Sequence, residues 1–439
     1  MAASKNKMSV VQLTILTVVN MMGSGIIMLP GKLAQVGTIS ILSWLVTAVG
    51  SMCLAYAFAK CGRFSKKSGG MGGYAEYSFG KGGNFMANYT YAVSLLIANV
   101  AIAISAVGYL KVLMGWDLSP LHVAIGTILF VWATMVANFG GASITGKISS
   151  FTVWGVVIPV VGVSVIGWFW FNPSMYAGAW NPHNMSLGEA VPASIAITLW
   201  AFLGLESACA NSEAVDNPEK NVPIAVLWGT LITAIIYIVS TNVVAGIVPN
   251  AELASSDAPF GILFATMFNN PLIGKIIMGL MVISCTGSLL GWQFTIAQVF
   301  KTGADEGYFV KPFGIATKNN TPLVGMVIIG VIQTALALMT ISPSLSKQFD
   351  ILVNLAVVTN LIPYILSMSA IIVLQKASNV PHKEMVFTSI IAFLGNLYSF
   401  YALYGAGMEA MYWGSMVVFA GWVLYGKVVS KKYDLHEPF

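Results

Sequence analysis

The stretch Ile195-Ala-Ile-Thr-Leu-Trp-Ala-Phe-Leu-Gly-Leu-Glu206 decides how this chain is read. An apolar run long enough, with its flanks, to cross a bilayer carries a carboxylate where the cost of one is greatest. An acidic side chain at the centre of a membrane helix costs upward of about 2.5 kcal/mol, so it faces a cavity or a partner. Glycine two residues before Glu206 weakens the helix at the same point, by about 1 kcal/mol relative to alanine. A second stretch, Asn20-Met-Met-Gly-Ser-Gly-Ile-Ile-Met-Leu-Pro30, is interrupted in the same way.

Composition names the solvent. Of the 439 residues, 57% are hydrophobic and only 8% charged, where a soluble domain carries roughly a quarter charged. Too little polar surface exists to cover a water-soluble fold of this length, and the chain is read as an integral membrane protein. The formal charge of +5 does not point to nucleic acid: 20 of the 21 basic residues are lysine, Arg63 being the exception, and no basic stripe forms. Cys53, Cys61, Cys209 and Cys285 lie in or beside apolar segments without paired spacing, and read as packing residues. The apolar run from Val10 to Leu29 is too long for a signal peptide and lacks a cleavage site.

A hydrocarbon core of about 30 Å takes roughly 20 apolar residues per helix. Apolar runs then give spans near 10–36, 39–59, 84–112, 121–138, 150–171 and 189–210. A second set lies near 223–248, 271–300, 323–341, 349–374, 385–405 and 408–428. The expected fold is an all-α polytopic membrane domain covering residues 1–439, with about twelve transmembrane helices. Counted on alternate sides from a cytoplasmic N-terminus, all the basic residues except Lys32, Lys111, Lys275 and Lys347 fall inside. That asymmetry favours both termini in the cytoplasm. Interruptions in spans 1 and 6 correspond if 10–171 and 189–374 are two repeats, with 385–428 added. Broken helices at matching positions are the sequence mark of a midplane binding site in inverted-repeat transporters.

Few residues are available for chemistry. Glu206 is the principal candidate. Trp200 and Trp292, both mid-span, offer aromatic faces of the kind that bind organic cations, at about 0.5–2 kcal/mol each. Tyr91 and Asn99 belong to span 3, Trp422 and Tyr425 to span 12. For Tyr425 an interfacial anchor is an equal reading. Glu76 follows the glycine-rich Gly69-Gly-Met-Gly-Gly and is either an attractor of cations at the membrane edge or a solvated helix start. Glu213, Asp216 and Glu219 sit among Asn and Pro and read as a solvated loop. Gly141-Ala-Ser-Ile-Thr-Gly-Lys-Ile148 imitates a phosphate loop, but Ile148 cannot ligate magnesium and no strand precedes it. His122, His183, His382 and His436 are expected in loops or the tail, widely spaced, and no metal or acid-pair motif occurs. An enzyme is not indicated and no cofactor is expected; transport driven by gradients is.

The chain resembles the amino acid–polyamine–organocation superfamily, in its basic amino acid/polyamine antiporter branch. The marks are Asn20 to Pro30 and Leu199-Trp-Ala-Phe-Leu-Gly-Leu-Glu-Ser-Ala208. The Asn-Pro-Glu-Lys-Asn-Val-Pro run ending at Pro223, Phe300 to Phe309, Ser288-Leu-Leu-Gly-Trp-Gln-Phe-Thr-Ile-Ala-Gln298 and Leu355-Ala-Val-Val-Thr-Asn360 add to them. The resemblance implies a five-plus-five inverted repeat with broken helices 1 and 6 and two additional helices. It implies exchange of internal putrescine for external ornithine, with proton-coupled putrescine uptake, in a bacterial inner membrane. Exchange of the lysine–cadaverine type, or amino acid/proton symport, is the alternative, and homo-oligomerisation is left open. By the same matching, Ser24 and Gly25 receive a substrate carboxylate and Trp200 acts as a gate. Trp292 faces the distal cation, Asn99 is a polar lining residue, and Glu206 serves amine recognition or proton coupling. Glu76, Tyr91 and Tyr425 match further positions that such an exchanger uses; Asp434 is a looser match in the tail.

Overall fold

A computed structural model describes residues 9–23, 25–67, 70–206, 216–317, 321–342 and 344–430. Among these every regular element is helical. Span 1 is a pair, α1 (Val10–Met21) and α2 (Leu29–Ala34), with a non-helical stretch between. A capping box starts α1: the amide N–H of Gln12 donates to Ser9 Oγ, and that of Ser9 to Gln12 Oε1. Span 2 is α3 (Ile41–Phe64), and span 3 the greater part of α4 (Gly70–Met114). At Gly80, with φ of 58° and ψ of −157°, α4 bends away from a short leading arm. Spans 4 and 5 are α5 (Pro120–Ala137) and the pair α6 (Ala142–Thr152) and α7 (Trp154–Ile166). A short helix, α8 (Pro173–Gly178), leads to α9 (Leu187–Trp200), which gives way to turns before Glu206. Span 7 is α10 (Pro218–Ala245). Two short helices follow, α11 (Asn250–Ala254) and α12 (Pro259–Phe268). Spans 8 to 12 are α13 (Pro271–Asp305), α14 (Leu323–Met339), α15 (Leu345–Ala377), α16 (His382–Gly405) and α17 (Met408–Ser430).

Among the described residues each expected span coincides with a helix, with a broken pair or, for span 6, with a helix that gives way to turns. Eight helical stretches among the described residues are long and apolar enough to cross a bilayer by themselves. The most apolar windows of α4 and α15 are 89% and 67% buried, against 33% for α5 and α16. The first two form the centre of the bundle; the others turn mostly to lipid.

Several boundaries differ from the sequence reading: α3 runs on to Phe64 and α6 begins at Ala142, eight residues before the expected span 5. The leading arm of α4 begins fourteen residues before the expected span, because Gly80 bends the helix without ending its hydrogen bonding. The α13 helix runs on to Asp305. Residues 250–268, read as a connection, hold α11 and α12: Pro259 starts α12 and Asn269 ends it in the left-handed region, with φ of 47°. Ten residues are too few to cross a membrane, so the segment gives no span signal. His122 and His382, expected in loops, lie in the first turns of α5 and α16.

Close helix packing rests on glycine at a few points. A Cβ on Gly50 of α3 would sit 2.1 Å from the ring of the buried Tyr398 on α16. Gly50→Ala is therefore expected to destabilise the bundle by about 1–3 kcal/mol, read as a lower melting temperature of the detergent-solubilised protein. An unchanged melting temperature would mean that the two helices do not pack this closely.

Candidate functional site

The two breaks lie against each other. A Cβ on Gly25 would be 3.2 Å from Ala201 Cα, so the span 1 break reaches the backbone of the span 6 break with no side chain between. Gly204 adopts φ of 107°, a conformation that residues with a Cβ rarely take. The Trp292 ring lies over it, 3.5 Å from where a Cβ would stand. This turn brings the Glu206 carboxylate back to within 3.1 Å of the Gly204 N–H, which donates to Oε2.

Two phenols complete the setting of Glu206. Tyr364 of α15 donates to Oε2 at 2.5 Å, and Tyr91 of α4 to Oε1 at 3.1 Å. Glu206 itself is only 6% exposed. Among the described residues no Lys or Arg pairs with it. Hydrogen bonds to a charged group contribute about 1.5–3 kcal/mol each, so three donors are enough to offset the burial of an acidic group here. What they do not supply is positive charge. A cation brought to this carboxylate would be the first one it meets.

A central cavity of about 40 Å³ adjoins the group. Gly25, Tyr91, Trp200, Glu206 and Trp292, five of the residues singled out from sequence, line it together. Asn360 lines it too, and with Tyr364 was not foreseen. Both lie one turn apart on α15, beside Pro363, inside an apolar run where a tyrosine hydroxyl needs a partner. That need was the available signal.

The remaining candidates lie elsewhere. Asn99 is fully buried and away from the cavity lining. Its amide donates to Gln293 at 3.1 Å, Gln293 donates to Gln333 at 2.7 Å, and Gln333 to the Leu96 carbonyl at 3.4 Å. This chain of amides ties spans 3, 8 and 9 together. Glu76 is on the leading arm of α4, where Lys67 and Asn84 each donate to it at 2.7 Å. The Lys67 hydrogen bond, ahead of that from Asn84, holds its carboxyl below the ordinary glutamate value. Tyr425 is at the same face of the bundle, its ring 5.2 Å from Phe85 and edge-on to Trp422 at 6.0 Å. Asp216 is exposed. Ser24, Glu213 and Asp434 lie outside the described residues.

The two faces of the central cavity differ. Toward the Glu76 face, Tyr91 and Glu206 also line a vestibule of about 520 Å³ that reaches Gly70 and Glu306. Trp292 and Tyr91 line another of about 380 Å³. Toward the opposite face, which carries Lys32, the way is shut. Trp200 meets Phe349 edge-on at 6.4 Å, and the Lys32 ammonium lies 5.6 Å from the centre of that ring. Lys32 is held by Asp350 at 2.8 Å and by the carbonyl of Ser346 at 2.7 Å, and it also donates to Ser346 Oγ. The central cavity is therefore closed toward the Lys32 face and shares Tyr91, Glu206 and Trp292 with the vestibules.

Comparison with known proteins agrees with this architecture. The family model described as "Amino acid permease" matches residues 8–426. The chain is 68% identical over 433 residues to the putrescine transporter PotE of Escherichia coli (strain K12), covering 99% of this chain and 98% of that protein. It is 69% identical over 437 residues to the putrescine transporter PotE of Haemophilus influenzae (strain ATCC 51907 / DSM 11121 / KW20 / Rd), with 100% of both chains covered. Identity to the cadaverine/lysine antiporter of Escherichia coli (strain K12) is 34% over 393 residues, 88% of this chain and 87% of that one.

Replacing Glu206 by Gln keeps the shape of the group and removes its charge. Transport of an organic cation by Glu206→Gln is expected to fall at least about tenfold, the loss of a single charge-assisted contact, with membrane expression unchanged. Wild-type transport rates in purified, reconstituted variant would remove Glu206 from the site.

Proposed function

The chain belongs to the amino acid permease family, and we propose that it exchanges putrescine for ornithine across a bacterial inner membrane. It is a multi-pass membrane transporter and not an enzyme. The observation that carries the finer reading is the Glu206 carboxylate, buried between two helix breaks, met among the described residues by neutral donors alone and flanked by Trp200 and Trp292. A diamine is a chain of methylenes with an ammonium at each end. One ammonium completes the charge at Glu206, and the stem and second ammonium lie against the indoles, each aromatic face contributing about 0.5–2 kcal/mol. Identity of 68–69% to putrescine transporters, against 34% to a cadaverine/lysine antiporter, supports the four-carbon substrate.

Ornithine presents the same ammonium with a carboxylate beside its second amine. That carboxylate is assigned to the span 1 break at Ser24 and Gly25, since an exposed helix N-terminus offers N–H groups to an anion. Protons act at Glu206 in the absence of ornithine, giving proton-coupled putrescine uptake. The halves 10–171 and 189–374 work as repeats that rock about the breaks, and both termini face the cytoplasm, as the lysine distribution favours. The vestibules beside Glu76 then open inward, with Glu76 and Tyr425 meeting cations at the inner mouth. Asn99 acts indirectly, by holding span 8 and hence Trp292. About 40 Å³ is room for one or two water molecules, so substrate binding requires the Tyr91–Glu206 layer to part from Trp292.

Counterflow tests the exchange. Proteoliposomes loaded with ornithine should accumulate labelled putrescine, and loading with lysine should not substitute. Accumulation indifferent to the internal solute, but driven by a proton gradient, would make the protein a symporter; accumulation with lysine and cadaverine alone would make it the other kind of exchanger. Charge gives a second expectation. Divalent putrescine leaving for monovalent ornithine exports one positive charge, worth about 2.3 kcal/mol per 100 mV. Exchange in that direction should therefore accelerate as the interior is clamped more positive, and equal rates at all potentials would contradict it.

A further inference from the structure

Two buried tyrosine hydroxyls hold the break in span 1, one at each end. Tyr237 of α10 donates to the Met21 carbonyl at 2.6 Å, where α1 stops. Tyr109 of α4 donates to the Ile27 carbonyl at 2.9 Å, just before α2 starts. Both rings are fully buried. The two differ in one respect. The Tyr109 hydroxyl also accepts from the Phe260 N–H at 3.3 Å, an amide in the first turn of α12 that has no helical partner of its own.

That second bond reaches the elements that cover the Lys32 face. A Cβ on Gly31 of α2 would stand 3.1 Å from the Leu253 carbonyl and 3.2 Å from that of Ser256. Gln35 donates to the Ala254 carbonyl at 3.2 Å. Lys111, half a turn beyond Tyr109 on α4, pairs with Asp257 at 3.1 Å, and a Cβ on Gly108 would meet the Asp257 carbonyl at 3.2 Å. The segment 250–268 thus lies across the mouth, against α2 on one side and the end of α4 on the other.

We propose that Tyr109 is a positioning residue of the transport cycle: its hydroxyl couples the substrate-site break in span 1 to the lid formed by α11 and α12. The inference rests on the exchange reading above. Opening the Lys32 mouth must move the lid away from α4, alone or together with α2. In the first case the bond from Phe260 is lost, and in the second the bond to Ile27 is lost as well. Both bonds therefore favour the state in which the mouth is shut, and they link the shape of the break to that closure. Tyr237, which touches the break but not the lid, has no such preference.

Tyr109→Phe keeps the ring and removes both bonds, which shifts a two-state balance toward the open mouth by roughly tenfold. The KM for substrate offered at the Lys32 face should fall and that at the Glu76 face should rise, their ratio changing about tenfold by the same argument. Tyr237→Phe should move both KM values in one direction. A readout that needs no substrate accompanies these. Ala34, buried in α2, is replaced by Cys, and its labelling by an impermeant maleimide from the Lys32 face is followed over the parent background. Labelling should quicken with Tyr109→Phe and not with Tyr237→Phe.

A lower maximal rate with both KM values and the labelling rate unchanged would overturn the proposal. So would indistinguishable behaviour of the two tyrosine variants. Faster labelling without putrescine transport would instead uphold the coupling and discard the substrate. If Tyr109→Phe does not reach the membrane, Asp257→Asn loosens the lid from α4 without touching the core. It should speed labelling in the same sense, and failure to do so would overturn the coupling.

Discussion

A carboxylate buried among neutral donors is the constraint on which the rest of this structure depends. Glu206 cannot be kept in the middle of an apolar span unless its oxygens are occupied, and they are occupied from three directions. The Gly204 N–H can reach it only because the helix has already given way to turns. Tyr91 and Tyr364 reach it only because spans 3 and 10, the most buried helices, run past the break. The loss of helix in span 6, the central position of α4 and α15, and the glycine at 204 are in this sense parts of one arrangement. Among the described residues it satisfies hydrogen bonding and brings no positive charge to the carboxylate, which is the state the proposed exchanger needs when empty.

The second break serves the same centre. Gly25 lets span 1 come against Ala201 with no side chain between, so the unwound backbones of spans 1 and 6 face one cavity. Unwinding frees carbonyls, and in a membrane each freed carbonyl needs a partner. Tyr237 and Tyr109 supply two of them. On the Lys32 side the short α2 is locked by Asp350 and Ser346, whereas the opposite side holds vestibules of about 520 and 380 Å³. The molecule is thus shut at one mouth and hollow at the other, as alternating access requires of an end state.

Much of this was legible in the sequence, for physical reasons that also set its limits. Spans announce themselves because roughly 20 apolar residues have no other use, and closely paired glycines point to a break because each weakens the helix by about 1 kcal/mol relative to alanine. Glu206, Trp200 and Trp292 stood out as polar or aromatic groups mid-span, and they line one cavity with Gly25 and Tyr91. The lid helices α11 and α12 were hidden, since elements of five and ten residues resemble loops when read for membrane crossing. Tyr364, Tyr109 and Tyr237 were hidden because a tyrosine in an apolar run looks like packing until its hydroxyl is seen to have a carboxylate or carbonyl to serve. Asn99 was read as a polar lining residue and is instead one end of a buried amide chain, whose other members, Gln293 and Gln333, lie on other helices. Pairings across distant spans are what a linear reading cannot supply.

The central claim is that the Glu206 charge receives the substrate amine, and ligand-induced stabilisation addresses it without any assay of transport. A ligand that binds the folded state alone stabilises it by RT ln(1 + [L]/Kd), and so raises its melting temperature as its concentration passes Kd. Thermal unfolding of the purified protein in detergent should shift upward with added putrescine, and the shift should vanish in Glu206→Gln. An equal shift in both proteins would mean that the diamine is held elsewhere, and that the buried carboxylate serves the fold rather than the cargo.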